Sequence, residues 1–127
     1  MSIWETLQIE SKVLSILDVQ PHDPTHHFGR PFLTPYQIAI EFKSRYPSEF
    51  VQIGKPVGGR NTGQHDSLAQ YIARELAPRI RDGQLAQVEG AFLHCDHLVT
   101  LQYDDLGTPV EASITQSSDL SMYRLKA

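Results

Sequence analysis

Through the first two thirds of the chain apolar residues recur every three or four positions. Ile3, Leu7, Leu14 and Leu17 fall on one helical face with Val13 beside them, which predicts a helix over 3–18. Ser2 is placed to cap it, Glu5 follows three residues on, and Pro21 ends it. Residues 20–33 contain three prolines and a glycine and read as a loop. A second helix is predicted from Thr34, with Pro35 at the first helical position and Gln37 completing a capping box. Ala39, Phe42 and Tyr46 share its apolar face, with Ile38 close by. Lys43 and Arg45 suit its C-terminal dipole, and Pro47 stops it. Residues 50–53 read as a short extended piece, and 54–65, with four glycines, as a turned or flexible loop. A third helix is expected from Asp66 or Ser67, with the stripe Leu68, Ala69, Ile72, Ala73 and Leu76. Pro78 is expected to kink or end it, because its ring meets the carbonyl of Arg74; Gly83 closes the segment.

Beyond Gly83 the period changes. Residues 98–103 and 110–114 read as strands with a turn at 104–107, residues 88–95 as a third strand, and 122–125 as another short one. The fold class predicted is α+β: three N-terminal helices, then an antiparallel β-hairpin or three-stranded sheet. Its 127 residues suit one domain over 1–127, with a core at about 3–115 and a C-terminal tail at 116–127. There is no internal repeat.

Composition narrows the setting. Apolar residues make up 40 % and charged residues 20 %, as in a folded protein. No apolar run approaches the ~20 residues of a membrane helix. The opening residues, Met1 to Glu5, lack the basic and apolar regions of a secretory signal. One cysteine, Cys95, forms no internal disulfide and fits a reducing compartment. The expectation is a small cytoplasmic protein with no membrane contact.

The net charge of −4 is unevenly spread. Residues 43–81 carry seven basic and three acidic side chains, a local excess of +4. A basic stretch in an acidic protein is a footprint for an anion, or simply a solvated surface.

The order helix, loop, helix, loop, helix, hairpin, with Leu33 to Ala39 opening the second helix and Ser67 to Leu76 in the third, resembles the winged helix-turn-helix superfamily. The resemblance spans about residues 3–115 and rests on element order and apolar spacing. It makes residues 98–114 the wing, and about twenty residues, 47–66, replace the usual tight turn. It implies duplex DNA binding through the third helix, with Gln70, Tyr71 and Arg74 facing outward. With the glycine-rich loop 54–65 and helix 67–77, the candidate nucleic-acid-binding residues are Lys55, Arg60, Asn61, Thr62, Gln70, Tyr71, Arg74 and Arg81. The acidic pair Asp104-Asp105 at the expected wing tip opposes phosphate contact. The alternative is a protein-interaction or adaptor module of the same fold. Homodimerisation through the face around Trp4 or the tail is a further expectation.

Other chemistry is thinner. Gly58 to Gly63 runs into a helix N-terminus, where backbone N–H groups and the dipole favour an anion, but it is neither a Walker A loop nor a dinucleotide fingerprint. His22, Asp23, His26 and His27, and then His94, Cys95, Asp96 and His97, are zinc-ligand types. On a strand, His94 and Asp96 point one way and Cys95 and His97 the other, so each face offers part of a site. Both clusters read more simply as polar turn residues, with Cys95 a small buried hydrophobe. No metal, no cofactor and no catalytic residue is expected. Trp4 and the aromatics Tyr36, Phe42 and Tyr46 read as core.

Overall fold

A computed structural model describes residues 2–59, 67–112 and 118–126. Five helices precede four strands: α1 (Ile3–Thr6), α2 (Ile9–Leu17), α3 (Pro35–Arg45), α4 (Pro47–Ile53), α5 (Leu68–Arg81), β1 (Val88–Leu93), β2 (Gln102–Asp105), β3 (Thr108–Glu111) and β4 (Leu120–Leu125). The α+β class expected from the sequence is thus present, built on five helices rather than three.

The two extra helices arise where the first predicted helix divides and where a predicted extended piece is helical. The first helix divides at Gln8, whose backbone is left-handed (φ 52°). Lys12 Nζ donates to the carbonyl of Leu7 at 2.8 Å, which satisfies an acceptor freed by the break. The core stripe then becomes Ile9, Val13, Ile16 and Leu17, while Ile3, Leu7 and Leu14 are only partly buried. Residues 50–53 are helical, not extended. Pro47 opens α4 at its first turn, where a missing N–H costs nothing, and Gly54 (φ 72°) closes it.

The predicted caps form: Ser2 Oγ accepts from the Glu5 N–H at the start of α1. Thr34 and Gln37 make the reciprocal capping box of α3, and Ser67 Oγ accepts from the Gln70 N–H at the start of α5. Pro78 does not end α5, which continues to Arg81. Ile80 packs against the core, and the N–H groups of Gln84 and Leu85 bond the carbonyl of Arg79, so the last turn is held from beyond.

The strands form two antiparallel pairs, β1 with β4 and β2 with β3. The hairpin lies at 102–111, about four residues later than its first predicted strand, and turns at Leu106-Gly107. It packs on α3: Tyr103 stacks on Tyr36 at 5.4 Å, and the Thr34 and Tyr103 hydroxyls are 3.1 Å apart. The segment expected to be a tail supplies β4, whose Tyr123 is buried. Leu33 exchanges two backbone hydrogen bonds with Tyr123, both 2.8 Å, and so covers the other edge of β4 just before α3 begins.

Candidate binding surfaces

The predicted nucleic-acid face is assembled by α5 and the chain leading into it. Lys55, one residue after the Gly54 cap, places Nζ 6.0 Å from the centre of the Tyr71 ring. Tyr71 in turn meets Trp4 edge-on at 6.1 Å, and burial, with Glu75 next, pushes its hydroxyl above the ordinary pKa. Tyr71 is therefore half covered by α1 rather than presented outward. Gln70 is partly buried, and its Oε1 is enclosed without a hydrogen-bond partner. Arg74 and Arg81 are exposed. Arg60, Asn61 and Thr62 lie outside the described residues.

Pairing within the protein occupies much of the basic segment. Lys43 meets Asp105 at 3.0 Å, Arg45 meets Glu41 at 3.6 Å, and Arg81 meets Asp82 at 2.9 Å. Arg79 lies between Glu75 and Glu10, at 3.5 and 3.8 Å, with its guanidinium 4.8 Å over the Trp4 ring. The Arg81 hydrogen bond holds the Asp82 carboxyl below its usual range. At least four of the seven basic residues thus have acidic partners, and each of these four meets an acid from outside the 43–81 stretch: Asp105, Glu41, Glu10 and Asp82.

The start of α5 is also occupied. Leu68 N–H donates to the Pro56 carbonyl at 2.7 Å, Ala69 N–H to Val57 at 3.0 Å, and Gln70 N–H to Ser67 Oγ at 3.2 Å. Three donors that a bound phosphate requires are used internally. Gly58 lets this chain pack against Ser67 and Ala69, and Gly59 lets it pass close to β3. At Gly59 (φ 107°) an added Cβ would stand 2.6 Å from the Glu111 carbonyl oxygen.

A second surface lies on the loop 20–33. His26 and His27 stack at 4.6 Å, and Phe28 stands edge-on to both. Phe28 is 72 % exposed. Beside it is an open groove of about 620 Å³, walled by Pro21, Phe28, Pro31 and Phe32. Arg124 of β4 braces this loop: its guanidinium lies 4.3 Å over Phe32, bonds the carbonyls of Phe28 and Arg30, and pairs with Glu89. The sequence marks this segment as a loop whose His22, Asp23, His26 and His27 are zinc-ligand types or polar turn residues; the signal for a groove was its density of aromatic and proline residues.

A third grouping sits at the open end of β1 and β4. The register pairs Leu93 with Leu120, so His94 and Asp119 face each other one step beyond the ladder. Strand alternation stops at Leu93, and the chain turns back through a Leu98 N–H to Cys95 carbonyl bond with His97 left-handed (φ 68°). His94 and Cys95 consequently reach the same carboxylate instead of opposite faces. Asp119, which the sequence pattern did not single out, accepts the Cys95 N–H at 2.8 Å. Its carboxyl is lowered by that bond and by the Cys95 thiol, while the same contact raises the thiol. A raised thiol is a poor thiolate nucleophile.

No helix among the described residues is long and apolar enough to cross a membrane. No family model, curated protein or solved structure matches the chain.

Proposed function

We propose that the chain is a winged-helix-like protein-interaction module that takes an apolar segment of a partner protein on the groove of loop 20–33. The observation that carries this reading is the exposed Phe28 cluster beside a proline- and phenylalanine-walled groove, held in place by Arg124. Aromatic and arginine side chains of this kind concentrate the energy of protein interfaces. The element order, helices first and an antiparallel pair last with Leu33 on its second edge, supports the winged-helix part.

The test is selection from a displayed random-peptide library. Binders enriched on the wild-type protein share an apolar or aromatic anchor and lose binding to Phe28→Asp. Equal capture by Phe28→Asp, or no enrichment at all, removes the reading.

Duplex DNA binding is the second reading, favoured by the exposed Arg74 on α5, three residues on from the Tyr71 ring that Lys55 approaches. Each phosphate that a basic residue neutralises adds roughly −0.9 to the slope of log affinity against log salt concentration. With four basic residues of the segment already paired within the protein, that dependence is expected to be shallow. Anisotropy of a labelled duplex at several salt concentrations measures it.

A further inference from the structure

We propose that His94, Cys95 and Asp119 form a zinc site whose fourth position holds water. One donor atom from each residue, an imidazole nitrogen, the thiol sulfur and a carboxylate oxygen, lies within 4.8 Å of the other two. Zinc bonds of about 2.0–2.3 Å place tetrahedral neighbours roughly 3.3–3.8 Å apart. His94 Nδ1 and Asp119 Oδ1 already stand 3.3 Å apart. A modest rotation of the Cys95 side chain completes the set.

The surroundings of His94 point the same way. Its Nε2 lies 3.1 Å from Asp96 Oδ2, so a proton on Nε2 is donated to that carboxylate. In that tautomer the Nδ1 lone pair faces Asp119 Oδ1 and is available to a metal ion. A carboxylate on the far nitrogen is also how zinc-binding imidazoles are commonly oriented. Asp119 is fixed independently by the Cys95 N–H, which leaves its second oxygen to turn toward a metal. The mixed sulfur, nitrogen and oxygen set suits zinc rather than calcium or magnesium, which take oxygen ligands. His94 and Asp119 are exposed, so the fourth position opens to solvent. In the fold, the ion joins the turn after β1 to the residue before β4 and closes the open end of that pair. This site does not depend on the groove at Phe28.

The experiment uses the full chain, stripped with a chelator and titrated with cobalt(II) as a coloured stand-in for zinc. The expected result is a one-to-one complex with a sulfur-to-cobalt charge-transfer band, displaced by zinc, and a higher unfolding temperature with zinc than without it. Cys95→Ser abolishes the band, and Asp119→Asn weakens binding tenfold or more. Asp96→Asn, acting only by orienting His94, keeps the band and weakens binding about 10- to 100-fold. His26→Ala changes nothing. Asp119→Asn, on an exposed side chain, keeps the test open if Cys95→Ser fails to fold. A protein that stays colourless in excess cobalt, or a band unchanged in Asp119→Asn, overturns the proposal.

Discussion

Phe42 in α3 and Phe92 in β1 are the same side chain under opposite conditions. Phe42 has no exposed surface, whereas Phe92 is 71 % exposed. The contrast holds for the regions around them. Ile9, Ile16, Leu17, Ile38, Leu68 and Ile72, all helical, are fully enclosed. The strand region contributes Val88, Val110, Ala112 and Tyr123 to that core, but leaves Phe92, Val99 and Leu106 in solvent. Two two-stranded pairs have too little surface to make a core of their own, since isolated hairpins are marginal in water. The strands are therefore stabilised by leaning on the helices, and their outer surfaces and loops are left for recognition.

The sharpest way to break this contrast is to truncate both phenylalanines. Phe42→Ala is expected to cost about 3–5 kcal/mol in chemical denaturation, through lost burial and the cavity left behind. Phe92→Ala should lie within about 0.5 kcal/mol of wild type. Comparable losses at the two positions would show that the strand region carries its own packing.

The next effect tests the seam between the regions. Gly59→Ala combines a left-handed backbone with a Cβ 2.6 Å from the Glu111 carbonyl oxygen of β3. It is expected to cost roughly 2–3 kcal/mol, read as a lower denaturation midpoint. Gly54→Ala, also left-handed but with nothing within 4 Å, gives the backbone share alone. If the two are equal, the close approach to β3 contributes nothing.

Lys43→Met probes the same seam by charge. Asp105 is 6 % exposed, and Lys43 is its ion-pair partner at 3.0 Å. Removing the ammonium leaves a buried carboxylate without its counter-ion, at a cost of about 1–2 kcal/mol after allowing for the exposure of Lys43. Lys43→Met/Asp105→Leu should recover part of the loss.

A smaller effect appears only in alkali. Burial raises the Tyr123 hydroxyl above the ordinary 10.0. The folded state therefore favours the protonated form, and that stabilisation is complete below pH 10. It is lost as pH rises from 10 through the higher folded-state value, because the unfolded chain ionises first. Tyr123→Phe should flatten the alkaline decline of the unfolding midpoint while leaving Tyr71 and Tyr103, both also raised, to titrate. An identical decline would mean that the β4 tyrosine is not the group responsible. At the low end of the scale, Arg81→Ala removes a fully solvated pair with Asp82 and should leave thermal stability unchanged within error.

The helical region was the more legible in sequence because its signals are local. Thr34 with Gln37, and Ser67 before Leu68, carry cap information within four residues, and both caps form. The left-handed Gln8 was not legible, since no glycine or proline marks it and tertiary packing of Trp4 against Tyr71 accompanies the break. The strands were less legible for a different reason. Which strands pair depends on partners far apart in the chain, so β1 with β4 does not follow from alternation, whereas the local hairpin of β2 and β3, with its turn within 104–107, does. The same holds for the candidate sites. The basic residues of 43–81 were visible, but not the acids that meet them from Glu10, Asp82 and Asp105. His94 and Cys95 were visible, but not Asp119, which only the ladder register brings opposite.

The paired backbone bonds between Leu33 and Tyr123 have a consequence for the order of assembly. β4 leaves the ribosome after every segment it must join: Leu33 on one edge, β1 on the other. The helices meet mostly near neighbours and are able to associate first, while β1 keeps an unpaired edge throughout that interval. Closing loops this long is slow, and an open strand edge is a template for wrong partners. Synthesis halted shortly before residue 120 would thus yield a helical body bearing one uncovered strand, the species in this chain most exposed to aggregation and to capture by chaperones.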